Sequence, residues 1–523
     1  MRRRRHLDSH LIIRVGAVRS VEDFGDAEPH ACESGRFGRV NQYVVKTIAG
    51  WLALTAVSCW LFAGASAAFA NAGLPASLES VATQANIDPG SFALIVHPIG
   101  GSEPLVSHNG DKPLNPASAI KAATAWAALE KFGPAHQWTT EVFADGEISD
   151  ETLTGDLVIR GDGDPFLVIE DLWRLLREVR YKGVRTITGD LVIDDSKFAT
   201  DPTDPGSFDE QPHRLYNVIP TATLVNFNAI EFVLKPNSQK GLADVHIFPP
   251  LENLRVESQV KLSKRKCKGT SPKIVMSYPN HEIRNHIVFT GALPSACKRY
   301  RLNRTAMTAA QYLYGLFQFV WSQWDGELRG QVRAGAVRSG LKPLVQWRSK
   351  PLGELVRPLN KWSNNVMART LMLNLGATLK PIGATKTDGQ DIMMGLFKRA
   401  KLPVDGVRID NGSGLSRDVR ATGSFFSALL RRAWAQPTMP EFVSSLSIAG
   451  KDGTTKRRYR HSGFSGQMHL KTGQIDDVVS VVGYVQAKSG KRYAAVFIAN
   501  QRAIHRGPGH KLRDAVLNWI FNL

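Results

Sequence analysis

Apolar residues recur at helical spacing in two separated parts of the chain. In the first part they mark LPASLESVATQANI from Leu74 and NPASAIKAATAWAALEKFG from Asn115, with the apolar strand SFALIVHPIG between them. In the second part they mark MTAAQYLYGLFQFVWSQW from Met307, SNNVMARTLMLNLGA from Ser363 and GQDIMMGLFKRA from Gly389. Residues three and four apart share one face of a helix, so these segments predict amphipathic or buried helices.

The middle of the chain has a different pattern. Between about residues 221 and 294, the runs AIEFVLKP, LADVHIFP and HIVFTG alternate as short strands do. Before them, GDLVIRGDGDPF from Gly155 and GDLVIDDSKF from Gly189 flank the helical pattern IEDLWRLLREV, which predicts a strand, helix, strand unit. No long helical pattern returns before Met307. We therefore predict one domain formed by residues 73–144 and 307–523. A mixed and β-rich insert of two small lobes, residues 145–306, divides this domain.

The N-terminal residues have the pattern of an export signal. Residues 47–70 combine an apolar core with small residues and end in Ala68-Phe69-Ala70, which predicts a signal peptide cleaved near Ala70 and an exported, periplasmic protein. Residues 1–46 show no apolar periodicity, so they are either a disordered leader or lie upstream of the true start codon. A weak lipoprotein motif leaves lipidation of Cys59 open as an alternative.

Composition and charge exclude some classes of function. The chain has 523 residues, of which 43% are hydrophobic and 22% charged, as in an ordinary globular protein. The net charge of +19 is spread along the chain without a nucleic-acid-binding motif, so no nucleic-acid partner is predicted, and peripheral contact with a membrane or a wall polymer stays open. The histidines of HEIRNH from His281 are five residues apart and on different helix faces, so we predict no metal and no cofactor. Cys267 and Cys297 remain after export and predict a disulfide in an oxidising compartment.

Candidate chemistry begins at the second helix, where Ser118 precedes Lys121 by three residues. This spacing allows the two side chains to touch, and the apolar neighbours desolvate the lysine, which lowers its pKa. A neutral amine beside a serine at a helix N-terminus can accept the hydroxyl proton and create a nucleophile. In the alternative interpretation, Ser118 caps the helix and Lys121 lies along its apolar surface.

Two further motifs follow along the chain. Ser363 and Asn365 form an S-x-N motif at the start of a helix, where Ser363 alone would be interpreted as a helix cap. Lys471-Thr472-Gly473 lies on a predicted strand that leads into a hairpin, and its glycine allows a ligand to approach the backbone closely. The alternative interpretation of Lys471-Thr472-Gly473 is the exposed end of a strand.

The three motifs together resemble the active-site set of penicillin-binding proteins and serine β-lactamases. The long spacing between the first two motifs, the repeated GDLVI segments, DNGSGLSR from Asp410 and AGKDGTTKRR from Ala449 are similar to the low-molecular-mass class C penicillin-binding proteins, the D-alanyl-D-alanine carboxypeptidase/endopeptidase family. The resemblance covers essentially all of residues 73–523. It implies an α+β multidomain protein with the penicillin-binding protein/serine β-lactamase-like transpeptidase fold, in which helices flank an antiparallel sheet.

The resemblance also implies roles for the motif residues. Ser118 would attack the carbonyl of a D-alanyl-D-alanine bond and form an acyl-enzyme, with Lys121 as its general base. Ser363 would relay a proton to the leaving amine, and Asn365 would hold the substrate amide and Lys121.

The strand motif and the backbone supply the other implied contacts. Lys471 and Thr472, followed by Gly473, would bind the terminal carboxylate of the substrate, and the backbone N–H groups of Ser118 and Gln474 would form an oxyanion hole. Gln474 stands where the family often has Thr or Ser, a change that a backbone donor tolerates.

The resemblance implies peptidoglycan stem peptides as substrates and β-lactam antibiotics as covalent inhibitors. It does not say whether carboxypeptidase or endopeptidase activity dominates. Two alternatives stay open: a serine β-lactamase or esterase on the same fold, and a catalytically silent cell-wall binding protein.

Overall fold

A computed structural model of the chain describes residues 73–267, 272–279 and 285–523. The predicted leader and signal peptide, Cys59 and the HEIR segment of HEIRNH lie outside these ranges. Within the described ranges, no helix is both long enough and apolar enough to cross a membrane.

The described residues form helices and strands that alternate along the chain. The helices are α1 (Ala76–Gln84), α2 (Lys121–Phe132), α3 (Ile169–Tyr181), α4 (Ala309–Ser322), α5 (Leu352–Lys361), α6 (Asn365–Ala377), α7 (Lys386–Arg399), α8 (Gly423–Trp434), α9 (Met439–Ser445) and α10 (Pro508–Phe521). The strands are β1 (Phe92–Pro98), β2 (Val106–His108), β3 (Thr139–Ser149), β4 (Thr152–Arg160), β5 (Thr186–Ile187), β6 (Leu191–Asp194), β7 (Ile230–Asn237), β8 (Leu242–Phe248), β9 (Arg255–Ser263), β10 (Ile274–Ser277), β11 (His286–Pro294), β12 (Tyr300–Arg304), β13 (Glu327–Leu328), β14 (Val332–Ala334), β15 (Val345–Arg348), β16 (Ser447–Ile448), β17 (Met468–Ile475), β18 (Val478–Gln486) and β19 (Arg492–Asn500).

An antiparallel six-stranded sheet joins the two ends of the chain. Its order is β16-β17-β18-β19-β1-β2, so the first strand pairs with the last one, Phe92 opposite Ala499 and Pro98 opposite Tyr493. The predicted C-terminal strand and hairpin are β17, β18 and β19, paired in sequence. We call this sheet and the helices that pack on it the split domain, because its parts come from both ends of the sequence.

Helices cover both faces of this sheet. Val496 and Ile498 of β19 belong to a core shared with α2, α5, α6 and α8, whereas Ala495 and Phe497 belong to a second core shared with α1 and α10. Successive side chains of a strand point to opposite faces, so β19 contributes alternately to the two cores. The helices around an antiparallel sheet agree with the predicted α+β fold class.

The predicted strand, helix, strand unit is present in the middle of the chain. Strands β4 and β6 pair in parallel, with Leu157 opposite Leu191 and Ile159 opposite Ile193, and α3 connects them. They belong to a seven-stranded sheet that also contains β3, β5, β13, β14 and β15. A second, six-stranded sheet has the order β10-β11-β9-β8-β7-β12 and contains the three runs predicted as alternating strands.

The second sheet of the insert contains the predicted disulfide. Cys267 follows β9, Cys297 follows β11, and the two residues form a disulfide with their Cα atoms 5.0 Å apart. Strands β9 and β11 pair in parallel, so the bond joins the ends of two neighbouring strands. The predicted pairing of these cysteines is confirmed.

The packing places the limits of the insert outside the predicted residues 145–306. Strand β15 pairs with β3, which begins at Thr139, and α4 shares a core with α3 and both sheets of the insert. We therefore infer an insert that runs from β3 to β15, residues 139–348, and includes the helix that the sequence assigned to the split domain. Helical periodicity shows that a helix has an apolar face, but it does not show which core that face joins. The two sheets share one core rather than forming two separately packed lobes.

Candidate active site

Ser118 lies in a short 3-10 turn, Ala117–Ile120, that leads directly into α2. Ala117 has a left-handed backbone, with φ of 45°. The side chain of Asn115 fixes this conformation: its Oδ1 accepts a hydrogen bond of 2.8 Å from the N–H of Ala117. A non-glycine residue in this region costs of order 1–3 kcal/mol, so the surrounding contacts hold the turn in place.

Lys121 is fully buried at the first position of α2, and its Nζ contacts three oxygen atoms. Nζ lies 2.9 Å from Ser118 Oγ and 2.6 Å from Asn365 Oδ1, and it also donates to the carbonyl oxygen of Ser413. The Asn365 amide is oriented by its Nδ2, which donates to the carbonyl of Tyr216 at 3.3 Å. The predicted contacts of Lys121 with Ser118 and with Asn365 are both present.

The surroundings of Lys121 favour its neutral form. Burial lowers the pKa of Lys121 well below its ordinary value, and the nearby charges of Lys471 and Arg369 lower it further. A carbonyl and an amide oxygen only accept hydrogen bonds, so the Asn365 and Ser413 contacts use the two N–H groups of a neutral amine. When Lys121 is neutral, its lone pair is left for the Ser118 hydroxyl, which among these three contacts is the partner that can donate a proton.

The carbonyl of Ser413 is a component of the site that the sequence analysis missed. It belongs to DNGSGLSR, a segment to which the family resemblance gives no physical role. Gly414 has φ of 76°, and a Cβ on it would lie 2.0 Å from the carbonyl oxygen of Ala117. The loop therefore packs directly on the turn that carries Ser118. The two glycines that flank Ser413 were the available signal, because close backbone contact requires residues without a side chain.

Ser363 precedes α6 and does not cap it. The cap is Asn364, whose side chain accepts a hydrogen bond of 3.1 Å from the N–H of Met367. Ser363 has a left-handed backbone, with φ of 56°, and its Oγ accepts a hydrogen bond of 2.9 Å from Lys471 Nζ. The interpretation of Ser363 as a simple helix cap is wrong, and its hydroxyl faces the third motif.

Lys471 is a second fully buried lysine, on β17. Burial lowers its pKa to about 7, and its Nζ also donates to the carbonyl of Thr472 at 2.8 Å. The hydroxyl of Thr472 lies 2.8 Å from that of Thr454, which follows the AGKDG segment. The alternative of an exposed strand end is therefore wrong for Lys471, which lies inside the protein.

Gly473 allows β17 to touch the turn that carries Ser118. A Cβ at this position would lie 2.4 Å from the carbonyl oxygen of Pro116 and 2.3 Å from Ser480 Oγ, which itself donates to Pro116 at 2.6 Å. Strand β16 pairs with β17 only at His469 and Leu470. The part of β17 from Lys471 onward, including Gln474, therefore has no partner strand on that edge within the described ranges.

We expect Gly473→Ala to destabilise the protein by about 1–3 kcal/mol, because the new methyl group meets backbone atoms that cannot move independently. The measurement is urea unfolding followed by circular dichroism. Gly395→Ala is the matched control: it lies within α7, its Cβ would meet only a flexible arginine atom at 3.7 Å, and alanine there should stabilise the helix by about 0.5–1 kcal/mol. Equal effects of the two substitutions would contradict the close contact of β17 with the serine turn.

The chain is similar to known proteins over most of its length. The chain is 28% identical over 482 residues to the D-alanyl-D-alanine carboxypeptidase of Actinomadura sp. (strain R39), a match of 87% of this chain and 86% of that protein. It is 24% identical over 420 residues to the D-alanyl-D-alanine carboxypeptidase DacB of Haemophilus influenzae, a match of 80% of this chain and 87% of that protein.

A solved structure shows the same fold. The crystal structure of penicillin binding protein 4 (dacB) from Haemophilus influenzae superposes with a TM-score of 0.73 at 22% identity and covers 85% of this chain and 99% of that chain. The family model of the D-Ala-D-Ala carboxypeptidase 3 (S13) family matches residues 74–523. The described structure and this match over most of the sequence show that the chain belongs to the D-Ala-D-Ala carboxypeptidase 3 (S13) family.

Proposed function

We propose that this protein is an exported serine DD-peptidase that hydrolyses D-alanyl-D-alanine termini, and also D-alanyl-diaminopimelate cross-links, in peptidoglycan. The observation that carries the proposal is the contact of the buried Lys121 amine with the Ser118 hydroxyl, together with Lys471 beside Ser363. The Cys267–Cys297 disulfide and the signal pattern of residues 47–70 support export.

Acylation follows from the neutral form of Lys121. Its lone pair accepts the Ser118 hydroxyl proton while Oγ forms a bond to the carbonyl carbon of the penultimate D-alanine. The backbone N–H groups of Ser118 and Gln474 stabilise the negative oxygen of the tetrahedral intermediate. Asn365 keeps Nζ aimed at Oγ through its hydrogen bond of 2.6 Å and also receives the substrate amide.

Collapse of the intermediate breaks the peptide C–N bond. The leaving nitrogen takes a proton from Ser363, and the proton that Lys121 took from Ser118 replaces it, so Lys471 keeps its charge. The carboxylate of the departing residue is bound by the Lys471 ammonium and the Thr472 hydroxyl. Water then hydrolyses the Ser118 ester, with Lys121 as base, and restores the free enzyme. A β-lactam forms the same ester with Ser118 and acts as an inhibitor when this second step is slow.

We expect Ser118→Ala to abolish covalent labelling of the protein by a fluorescent penicillin, because no other nucleophile would occupy the site. Labelled protein is measured by fluorescence after denaturing electrophoresis. Ser339→Ala is the matched control, since Ser339 and Lys342 repeat the S-x-x-K spacing on an exposed segment. Undiminished labelling of the Ser118 variant would contradict the assignment of the nucleophile.

Digestion of muropeptides by the wild-type protein distinguishes a peptidase from a β-lactamase. The protein should release D-alanine from pentapeptide muropeptides and convert cross-linked dimers to monomers, both measured by chromatography. Unchanged muropeptides together with rapid hydrolysis of β-lactams would support the β-lactamase alternative. Unchanged muropeptides with a stable penicillin adduct would support a catalytically silent wall-binding protein.

We expect kcat/KM for D-alanine release to fall as the pH rises above about 7, where the free enzyme loses the Lys471 proton. The proton is present below this pKa and lost above it, so the carboxylate ligand is charged only on the acid side. Lys471→Arg should remove this alkaline limb, because a guanidinium stays protonated. The profiles are measured from pH 5 to 10, and an alkaline limb that is identical in the two proteins would show that Lys471 is not its source.

A further inference from the structure

A groove beside the candidate active site is not used by the carboxypeptidase reaction. It has a volume of about 440 Å³ and follows α5 from Lys350, two residues before the helix, to Trp362, the residue after it. We call it the α5 groove. The side chains that matter here are Phe166, Lys350, Glu354, Arg357, Lys361 and Trp362.

The groove begins next to the reacting groups. Trp362 directly precedes Ser363, whose hydroxyl is bonded to Lys471. The ten residues of α5 then extend the groove by about 15 Å away from the cleft.

The direction of the substrate places the groove on the leaving-group side. The Ser118 turn touches β17 at Gly473, and the carboxylate ligands Lys471 and Thr472 precede Gly473 on the strand. A peptide that runs from the scissile carbonyl to its carboxylate therefore continues toward Thr454, the neighbour of Thr472.

Thr454 belongs to the segment that also binds the end of α5. Asp452 accepts a hydrogen bond of 2.5 Å from Lys361 Nζ, and Lys361 also donates to the carbonyl of Leu446 at 2.9 Å. A leaving group longer than one residue is thus directed from Thr472 past Asp452 to the end of the α5 groove at Trp362.

The chemistry of the groove matches an acidic peptide. Trp362 is 63% exposed, which is unusual for a large aromatic side chain, and its ring lies 6.1 Å from that of Phe166. Lys350 Nζ lies 5.4 Å from the Phe166 ring centre. In the described parts of the chain, Lys350 and Arg357 form no ion pair, so their charges are available to a ligand.

The acidic groups near the groove do not cancel these charges. Glu354 is the acidic residue among those that line it. The charge of Lys350 acts on Asp164 and Asp171, which do not line the groove, and burial raises the pKa of both carboxyls, that of Asp164 to about 7. Asp452 neutralises Lys361. Lys350 and Arg357 therefore leave the groove positive, beside two aromatic rings.

We propose that the α5 groove binds the acidic stem peptide on the leaving-group side of a cross-link, and so determines how well the enzyme cleaves cross-links relative to free termini. The inference rests on the proposed DD-peptidase function. A free D-alanine leaving group ends at Lys471 and does not reach the groove. The stem peptide of a cross-linked strand carries further carboxylates, which Lys350 and Arg357 bind, and a backbone that packs against Trp362 and Phe166.

The test compares two substrates in one set of variants. For Lys350→Glu/Arg357→Glu, we expect the ratio of kcat/KM for a cross-linked dimer muropeptide to kcat/KM for a monomeric pentapeptide to fall about tenfold, as expected for two exposed ion pairs and the repulsion that replaces them. The matched control is Lys398→Glu/Arg399→Glu, which makes the same charge change on exposed residues of α7. This control should leave the ratio at its wild-type value.

A second substrate isolates the role of the ligand charges. A dimer whose leaving-strand carboxylates are amidated should be cleaved more slowly than the free acid by the wild type and at similar rates by the charge-reversed variant. An unchanged ratio in Lys350→Glu/Arg357→Glu, or an equal loss in the α7 control, would overturn the groove assignment. Failure of the wild type to release D-alanine from the pentapeptide would instead refute the proposed function, which keeps the two failures distinct.

Discussion

The site depends on keeping two lysines out of water within one short network. Lys121 and Lys471 are both fully buried, and the charge of Lys471 further disfavours a charge on Lys121. Two charged ammonium groups in such surroundings would be costly, so burial and the charge of Lys471 favour the amine form of Lys121. In the proposed mechanism, this asymmetry gives a base beside the Ser118 hydroxyl and a cation beside Ser363. Both functions come from the same residue type, and the surroundings alone make them different.

The desolvation requires three segments to meet without space between them. The Ser118 turn, the loop around Ser413 and strand β17 touch through backbone atoms, which explains the glycines at 414 and 473. The left-handed residues Ala117 and Ser363 are the conformational cost of this arrangement. The six-stranded sheet and its helices supply the rigid support, since β17 pairs with β18 along its whole length and α2 is buried along most of its length. The insert borders the site through Tyr216, whose carbonyl orients Asn365.

Much of this arrangement was predictable from the sequence, and the exceptions share a cause. The helices, the strand, helix, strand unit of β4, α3 and β6, the disulfide and the contact of Lys121 with Ser118 follow from periodicity, spacing and cysteine count. The contact of Lys121 with Asn365 follows from the family resemblance. The limits of the insert do not, because the apolar face of α4 fits either core and only packing decides between them. The carbonyl of Ser413 was missed since every residue has a carbonyl, and its position depends on a loop geometry that two glycines permit. Serine and asparagine are both good helix caps, so the sequence does not decide between Ser363 and Asn364. Asn364 caps α6 because its backbone is extended, whereas the backbone of Ser363 is left-handed.

The most direct test is to measure the pH at which Lys121 gains its proton. In protein labelled with ¹³C at lysine Cε, the Lys121 resonance is assigned by its loss in Lys121→Arg and followed by NMR from pH 5 to 11 in the absence of substrate. If burial supplies the base, this resonance titrates well below the ordinary lysine pKa of 10.5. Lys471→Met, which removes the neighbouring charge, should shift the titration to higher pH. A Lys121 resonance that titrates near 10.5 in both proteins would contradict the claim that burial supplies the base.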